Sequence, residues 1–265
     1  MKKRYRILVT NDDGYEAKGL LSLVKALREI EDVEVTVVAP ASEKSACGHS
    51  LTIIRPLRFI GIEDNFFKLD DGTPSDCVYL ALSTIFVDAK PDLLISGINR
   101  GSNMGEDITY SGTAAGAMEG VLHGIPSIAI SQVMDFTDPG GDFTLAQETI
   151  KKLVAKIKEG SFPLPEREFL NVNIPPNIDL ENPKMFITYA GYRLYANDSH
   201  LHRNPRGEEY YWLGTHPLNF SAREGKKGVS DYEAIKSGNI SITPIQLDMS
   251  AYESINRLEE WIEQN

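Results

Sequence analysis

Two adjacent aspartates follow the first apolar segment of the chain, in the tetrapeptide Asn11-Asp12-Asp13-Gly14. Adjacent carboxylates repel each other and are costly to desolvate unless a positive charge lies between them. Oxygen ligands of this kind suit hard divalent cations such as Mg²⁺, Mn²⁺ or Ca²⁺. Gly14 would allow the tight turn that directs both carboxylates to one ion. An isolated Asp-Asp-Gly sequence is more often a solvated turn, but its position directly after a predicted buried strand favours a metal site.

A second polar segment, residues 97–105, has glycine at every fourth position and contains Asn99 and Asn103. Glycine allows the backbone to approach a phosphate group closely and to turn its N–H groups toward it. The two asparagine side chains could bind either a metal ion or an anion. The alternative is an ordinary glycine-rich connection, although the segment is long for a link between a strand and a helix.

The sequence Ser111-Gly112-Thr113 precedes a run of small residues that is predicted to be helical. Free backbone N–H groups at the start of a helix hold phosphate well, aided by the helix dipole and by hydroxyl groups. Ser111 or Thr113 could equally be an ordinary N-terminal cap of a closely packed helix. The residues alone leave these two interpretations open.

Residues 40–50 form another polar segment, which contains Ser45 and His49. His49 could contact a substrate, or it could have a capping or structural role. His200 and His202 lie in the polar stretch 197–207, and we expect both to be exposed to solvent.

These polar segments belong to a pattern in which predicted strands and helices alternate along the chain. Strands are predicted at 6–10, 33–39, 92–96, 126–131 and 169–174, and helices at 17–30, 75–86, 111–123 and 143–159. Short strands with turns are expected between about 51 and 69. This alternation predicts an α/β fold with a mostly parallel sheet and helices on both faces. In such sheets ligands bind beyond the carboxyl ends of the strands, where the strand order reverses, so we expect the polar segments to converge there.

The pattern changes at about residue 180. Strands at 185–190, 209–213 and 239–243 and a helix at 250–263 are predicted in this last part. We therefore divide the chain into a catalytic core, residues 1–180, and an extended hairpin with a C-terminal helix, residues 181–265, of which one strand could return to the core. The second part could be a separate lobe or an arm that reaches a partner subunit.

Composition excludes several classes of protein. The 265 residues include 27 Lys and Arg against 38 Asp and Glu, which gives a formal charge of −11 and argues against binding of long nucleic acid through bulk charge. No apolar run approaches the roughly 18 residues of a membrane span. Two cysteines without a CxxC pair suit a reducing cytoplasm, which is the location that we predict. The motifs for dinucleotides, P-loop nucleotides, serine hydrolases and HExxH zinc proteases are missing.

Taken together, the motifs resemble those of the SurE family of metal-dependent nucleotidases. Val9-Thr10-Asn11-Asp12-Asp13-Gly14 is similar to the opening signature of that family. Further blocks that resemble the family are Ala39-Pro40 with Ser45 and Gly48-His49-Ser50, Gly72–Val78, Ser96–Gly101 with Asn103-Met104-Gly105, Tyr110-Ser111-Gly112-Thr113, and Asp231-Tyr232 with Ser241-Ile242-Thr243-Pro244.

The resemblance implies a role for individual residues. It assigns one divalent ion per subunit, Mg²⁺ or Mn²⁺, to four ligands: Asp12, Asp13, Ser45 and Asn99. It places Asn103 and the turn Ser111-Gly112-Thr113 near the phosphate. It also implies a Rossmann-like core and a homodimer or homotetramer that exchanges C-terminal elements.

The function that the resemblance implies is hydrolysis of nucleoside 5′-monophosphates, and also of 3′-monophosphates, to nucleoside and phosphate. The chain would thus be a phosphoric monoester hydrolase whose partner is a small nucleotide rather than a nucleic acid or a membrane. Asp12, Asp13, Asn103 and Ser111 are the catalytic candidates, with Asp12 nearest the attacking water, although the sequence does not distinguish Asp12 from Asp13. Two alternatives remain: a metal-dependent phosphohydrolase for sugar phosphates or short polyphosphate, and a non-catalytic nucleotide-binding protein.

Overall fold

A computed structural model describes residues 4–134, 141–176, 183–195, 199–213, 217–221 and 227–264. These residues contain one large sheet of ten strands with helices packed on both of its faces. The predicted α/β class with a mostly parallel sheet is therefore confirmed. The predicted boundary between residues 180 and 181 lies outside the described residues.

Strands and helices alternate through the first part of the chain, as the pattern predicts. The strands are β1 (Tyr5–Thr10), β2 (Val33–Pro40), β3 (Arg58–Glu63), β4 (Phe66–Asp70), β5 (Leu93–Arg100), β6 (Ser127–Gln132), β7 (Glu168–Ile174), β8 (Met185–Tyr189), β9 (Tyr192–Tyr195), β10 (Ser199–Arg203), β11 (Glu209–Leu213), β12 (Pro217–Ser221), β13 (Val229–Ser230) and β14 (Ile240–Gln246). The helices are α1 (Lys18–Arg28), α2 (Pro74–Thr84), α3 (Gly112–Leu122), α4 (Thr144–Glu159), α5 (Asp231–Lys236) and α6 (Ile255–Glu263), with 3₁₀ turns at Gly105–Thr109 and Tyr252–Ser254.

The strand order of the large sheet is β13-β8-β14-β7-β6-β5-β1-β2-β4-β3. From β1 the chain first adds β2 and β4 on one side, and it then returns to add β5, β6 and β7 on the other. Strands β1 and β5 are parallel neighbours, with Thr10 paired to Ser96. The order therefore reverses between β1 and β5, and the carboxyl ends of these two strands are the expected position of a binding site.

The two faces of the sheet are covered by different helices. Helices α1 and α4 pack on one face, where Leu20, Leu23 and Leu27 of α1 are fully buried against β1, β2 and β5. The spacing of these leucines places them on one side of a helix, as the sequence predicts. Helices α2 and α3 cover the other face, and α2 begins with a capping box formed by Thr73 and Asp76.

Strand β5 is longer than the sequence predicts. The prediction ends it at residue 96, whereas the strand continues to Arg100 through an irregularity between Ser96 and Asn99. Gly97 permits this continuation, because a Cβ atom there would lie 2.2 Å from the carbonyl oxygen of Ile130. Asn99 consequently belongs to the end of a strand rather than to a loop.

The C-terminal residues contribute both to the sheet and to exposed elements. Strand β14 lies between β7 and β8 and runs antiparallel to β7. Strands β10 and β11 form an antiparallel hairpin in which every strand residue is exposed, and helix α6 has no buried residue. The sequence does not predict strands β9, β10, β12 and β13 or the short helix α5. It predicts that the last helix starts at residue 250, whereas α6 starts at Ile255. Among the described residues, no helix is long and apolar enough to cross a membrane.

Candidate active site

Three of the polar segments meet at the carboxyl ends of β1 and β5. The backbone N–H of Lys44 donates to the carbonyl oxygen of Asp12 (2.7 Å), which joins the segment after β2 to the turn after β1. The backbone N–H of Arg100 donates to the Asp13 carboxylate (3.0 Å), which joins the same turn to the end of β5. The side-chain amide of Asn11 donates to the carbonyl oxygen of Gly14 (2.9 Å) and so closes the turn. The expected convergence of these segments is therefore present.

The Asp12 side chain is buried against the first turn of α3. The hydroxyl group of Thr113 donates a hydrogen bond to its Oδ1 atom. A Cβ atom on Gly112 would lie 2.7 Å from Cβ of Asp12 and 3.0 Å from Sγ of Cys47, so only glycine fits there. Burial raises the pKa of Asp12, and the hydrogen bonds from Thr113 only partly oppose this effect.

Asp13 is less deeply buried than Asp12, but its ionisation is also perturbed. Burial, followed by the negative charge of Asp12, raises the pKa of Asp13 to about 6, and the N–H of Arg100 partly opposes the shift. The raised pKa values mean that burial disfavours the ionised forms of both carboxyl groups. A bound cation would supply positive charge and would lower both pKa values.

The donor atoms near Asp12 and Asp13 fit a hard divalent cation. Ser45 and Asp13 line a common cavity of about 380 Å³, and the Ser45 hydroxyl donates to the carboxylate of Glu43 (2.8 Å). The amide nitrogen of Asn99 donates to the carbonyl oxygen of Gly101 (2.9 Å), which leaves its amide oxygen as an acceptor. No group of three or more His, Cys, Asp or Glu side chains within the described ranges could hold a metal ion. The hydroxyl of Ser45 and the amide oxygen of Asn99 are oxygen donors of the kind that a hard divalent cation accepts in addition to carboxylates.

Ser111 has the geometry of a helix cap. Its Oγ atom accepts the backbone N–H of Ala114 (2.9 Å), while its own hydroxyl hydrogen can still be donated. The capping interpretation is thus present in the structure, and the first turn of α3, with Gly112 and Thr113, lies beside Asp12.

Asn103 is held by side chains that the sequence did not single out. Its backbone N–H donates to Oδ1 of Asn173 (2.9 Å), and its carbonyl oxygen accepts the amides of Asn171 (2.8 Å) and Asn173 (2.9 Å). Its own amide nitrogen donates to Oγ of Ser131 (2.8 Å). Because these bonds fix both the backbone and the side chain, Asn103 has a defined place next to β6 and β7. The sequence contains a signal for this role, because two asparagines interrupt the apolar residues of the predicted strand Phe169–Ile174.

Arg100 is a second residue that the sequence analysis did not single out. It lines the cavity that Asp13 and Ser45 share. The sequence named it only as part of a matching block, because the expected convergence of the polar segments does not show which side chains line the cavity between them.

Fold and site together define an α/β protein with a candidate cation and anion site at the switch point of a parallel sheet. Residues 7–197 match the family model described as survival protein SurE. The chain is 81% identical, over 98% of its length and 100% of the relative, to "5′-nucleotidase SurE" of Sulfurimonas denitrificans, and 58% identical, over 97% and 99%, to the protein of that name in Helicobacter hepaticus. The chain belongs to the SurE family.

A solved structure supports the same assignment. The crystal structure of the SurE protein from Aquifex aeolicus covers 97% of this chain and 99% of its own, with 38% identity and a TM-score of 0.79. The family that the motifs predicted is therefore confirmed.

Proposed function

We propose that this protein is a metal-dependent nucleotidase that hydrolyses nucleoside 5′-monophosphates to nucleoside and phosphate, with 3′-monophosphates as a second substrate class. The observation that carries the proposal is the contact of Asp12 with Gly112 and Thr113 at the start of α3. This contact places a candidate metal ligand against the N-terminal turn of α3, and a cation beside a helix N-terminus is a pairing that suits a phosphate ester. The high identity to proteins named 5′-nucleotidase supports a phosphoric monoester hydrolase.

The candidate residues divide into two groups by their role. Asp12, Asp13, Ser45 and Asn99 would hold one Mg²⁺ or Mn²⁺ ion, which supplies positive charge for the phosphoryl oxygens and acidifies bound water. The N–H group of Gly112, with the hydroxyl of Ser111 and the amide of Asn103, would bind the charged oxygens of the phosphoryl group, and Thr113 would lie beside them with its hydroxyl on Asp12.

The catalytic base is proposed to be Asp12. The hydroxyl of Thr113 donates to Oδ1 of Asp12 and so orients the carboxylate that would accept a proton from the attacking water. Asp13 differs because its carboxylate accepts the Arg100 N–H and lines the 380 Å³ cavity. We propose that Asp13 mainly binds the ion.

The direct test is phosphate release from a panel of nucleoside 5′- and 3′-monophosphates, with Mn²⁺ or Mg²⁺ and with excess EDTA. We expect Asp12→Asn to lower kcat by about 10²–10⁴-fold, the range for loss of a general base. The exposed Asp88→Asn is the matched control and should retain full activity. Turnover that survives complete metal removal would contradict the proposal. Faster release from sugar phosphates or short polyphosphate would favour the broader phosphohydrolase, and binding without turnover would favour a nucleotide-binding protein.

The assembly and location of the protein are also proposals. We propose a homodimer or homotetramer in which the exposed hairpin β10–β11 and helix α6 contact or exchange with a second copy. The apolar side chains exposed on these elements support it: Tyr210, Tyr211, Trp212, Leu213, Leu258 and Trp261. Both cysteines are free thiols, which supports the proposed cytoplasmic location.

A further inference from the structure

Residues 41–52, here called the Ser45 segment, form neither helix nor strand, although they contain a proposed metal ligand. A segment of this kind stays in place only if specific contacts hold it. At its start, the N–H of Ala41 donates to the carbonyl oxygen of Leu69 (2.9 Å), followed by the bond from Lys44 to Asp12. In its centre, the N–H of Gly48 donates to the carbonyl oxygen of Tyr110 (2.9 Å).

Beyond Gly48, the segment bonds to the start of α2, where the N–H and hydroxyl of Thr52 donate to the Asp76 carboxylate (2.8 and 2.7 Å) and the hydroxyl of Thr73 donates to the carbonyl oxygen of Ser50 (2.8 Å). Its side-chain hydrogen bond to α3 joins His49 to Glu119. Nε2 of His49 lies 2.8 Å from Oε2 of Glu119, a residue 70 positions further along the chain. Glu119 is only 4% exposed, so its carboxylate needs hydrogen-bond partners to remain charged. His123, the residue directly after the last residue of α3, provides the other partner at 3.0 Å from Oε1.

The protonation of Glu119 agrees with this geometry. Burial raises the pKa of the carboxyl group, but the hydrogen bonds and the charges of the two histidines outweigh burial and leave the pKa below its ordinary value. A charged acceptor strengthens both hydrogen bonds.

The helix that contains Glu119 is the one whose first turn touches Asp12. Sγ of Cys47 lies 3.0 Å from the position that a Cβ atom on Gly112 would take, so the Ser45 segment packs directly on the start of α3. The bond between His49 and Glu119 therefore fixes the segment against the same helix that contributes Gly112 and Thr113.

We infer that His49 and Glu119 are a pair of positioning residues that hold the Ser45 segment, and with it the hydroxyl of Ser45, at the metal site. His123 shares the carboxylate but lies at the C-terminal end of α3, so it does not restrain the segment. The inference rests on the proposed function only in taking Ser45 to be a ligand of the metal site. Neither member of the pair needs to touch substrate.

The test compares His49→Ala with His123→Ala, because each variant removes one hydrogen bond from the same carboxylate. Binding of Mn²⁺ to the full-length protein, followed by the electron paramagnetic resonance signal of the free ion, gives a readout that does not depend on turnover. We expect His49→Ala to weaken Mn²⁺ binding by about tenfold, which is the smallest loss of metal affinity typical for residues that orient metal ligands. We expect His123→Ala to leave Mn²⁺ binding unchanged. Glu119→Gln should weaken it as His49→Ala does, and the double variant His49→Ala/Glu119→Gln should add little, because both changes remove the same contact.

Rescue and kinetics distinguish positioning from other roles. His49→Gln can still donate to Glu119 and should recover most of the Mn²⁺ affinity. In steady-state assays, His49→Ala should require more Mn²⁺ for half-maximal activity while keeping kcat at saturating Mn²⁺. Thermal unfolding of each variant shows whether the fold is intact, and His49→Asn replaces His49→Ala if that variant does not fold.

Three results would overturn the inference. Equal losses of Mn²⁺ affinity in His49→Ala and His123→Ala would mean that the two histidines and Glu119 only stabilise α3. Unchanged Mn²⁺ affinity in His49→Ala would mean that the segment is held without the pair. If His49→Gln binds Mn²⁺ as the unmodified protein does but loses an ionisation from its pH profile of kcat/KM, His49 is a catalytic residue. If the unmodified protein binds Mn²⁺ but hydrolyses no nucleotide, the proposed function fails while the binding comparison still decides the inference.

Discussion

At the scale of single residues, the site depends on how closely the backbone of α3 approaches Asp12. Asp12 is buried, yet it is adjacent to a second carboxyl group with a raised pKa. The energetic cost of this arrangement would be offset by a bound cation, and the hydrogen bond from Thr113 keeps the carboxylate in one orientation. Gly112 makes the arrangement possible because it has no side chain to separate α3 from Asp12.

We predict that Gly112→Ala abolishes most of the activity while the protein still folds. The added methyl group would lie 2.7 Å from Cβ of Asp12 and 3.0 Å from Sγ of Cys47, so α3 and Asp12 must move apart. Displacement of a catalytic group by about 1 Å commonly lowers the rate by roughly 10²-fold, and we expect a loss of kcat/KM of this order. Gly61→Ala is the control, since a Cβ atom there meets nothing closer than 3.9 Å. Full activity in Gly112→Ala would show that the close approach is not required.

At the scale of secondary-structure elements, β5 and β7 explain where the polar residues of the site lie. Strand β5 extends past Gly97 to Arg100 and so brings Asn99 to the end of a strand next to the turn after β1. Strand β7 provides two buried asparagines whose side chains hold the backbone of Asn103. The phosphate side of the proposed site is thus fixed by a strand that contributes no ligand itself.

We predict that Asn173→Ala destabilises the protein more than Asn171→Ala. Asn173 bonds to both the N–H and the carbonyl oxygen of Asn103, whereas Asn171 bonds only to the carbonyl oxygen, which would keep one partner after its loss. A buried N–H without a partner costs about 1–3 kcal/mol, and we expect a decrease of this size in the free energy of unfolding for Asn173→Ala. Unfolding in urea measures it. Equal decreases for the two variants would argue against this account of how Asn103 is held.

At the scale of the whole molecule, the exposed elements of the C-terminal part are unusual for an isolated chain. Trp212 is 68% exposed on the β10–β11 hairpin and Trp261 is 64% exposed on α6. Exposed aromatic side chains grouped on one element are typical of surfaces that contact another protein.

We predict that Trp212→Glu shifts the protein to a smaller assembly. A charge in the centre of an apolar contact between copies is costly to bury. The assembly of the variant should therefore dissociate at a protein concentration at which the unmodified protein is still assembled. Size-exclusion chromatography with light scattering measures the mass directly. Val87→Glu serves as the control, because Val87 is equally exposed (67%) but lies outside the hairpin. An unchanged mass for Trp212→Glu, or a monomeric parent protein, would remove the hairpin from the proposed interface.

The sequence by itself determined the class of fold, the family and the position of most elements in the first 174 residues. Alternating apolar periodicity is a local property, so it can be read without knowing what packs against what. The order of the motifs along the chain likewise needs no coordinates. The weaker predictions lay after about residue 180, where short strands and a hairpin depend on contacts between distant residues.

Only the tertiary structure decided which side chains meet. The bond between His49 and Glu119 spans 70 positions, and the bonds that hold Asn103 from Asn171 and Asn173 span 68 and 70. Nothing in the local sequence marks Glu119 as different from a solvent-facing glutamate on a helix. Its role follows from the strand order, which places α3 beside the segment after β2. Long-range pairing of this kind depends on how the elements pack, and the sequence pattern does not contain that information.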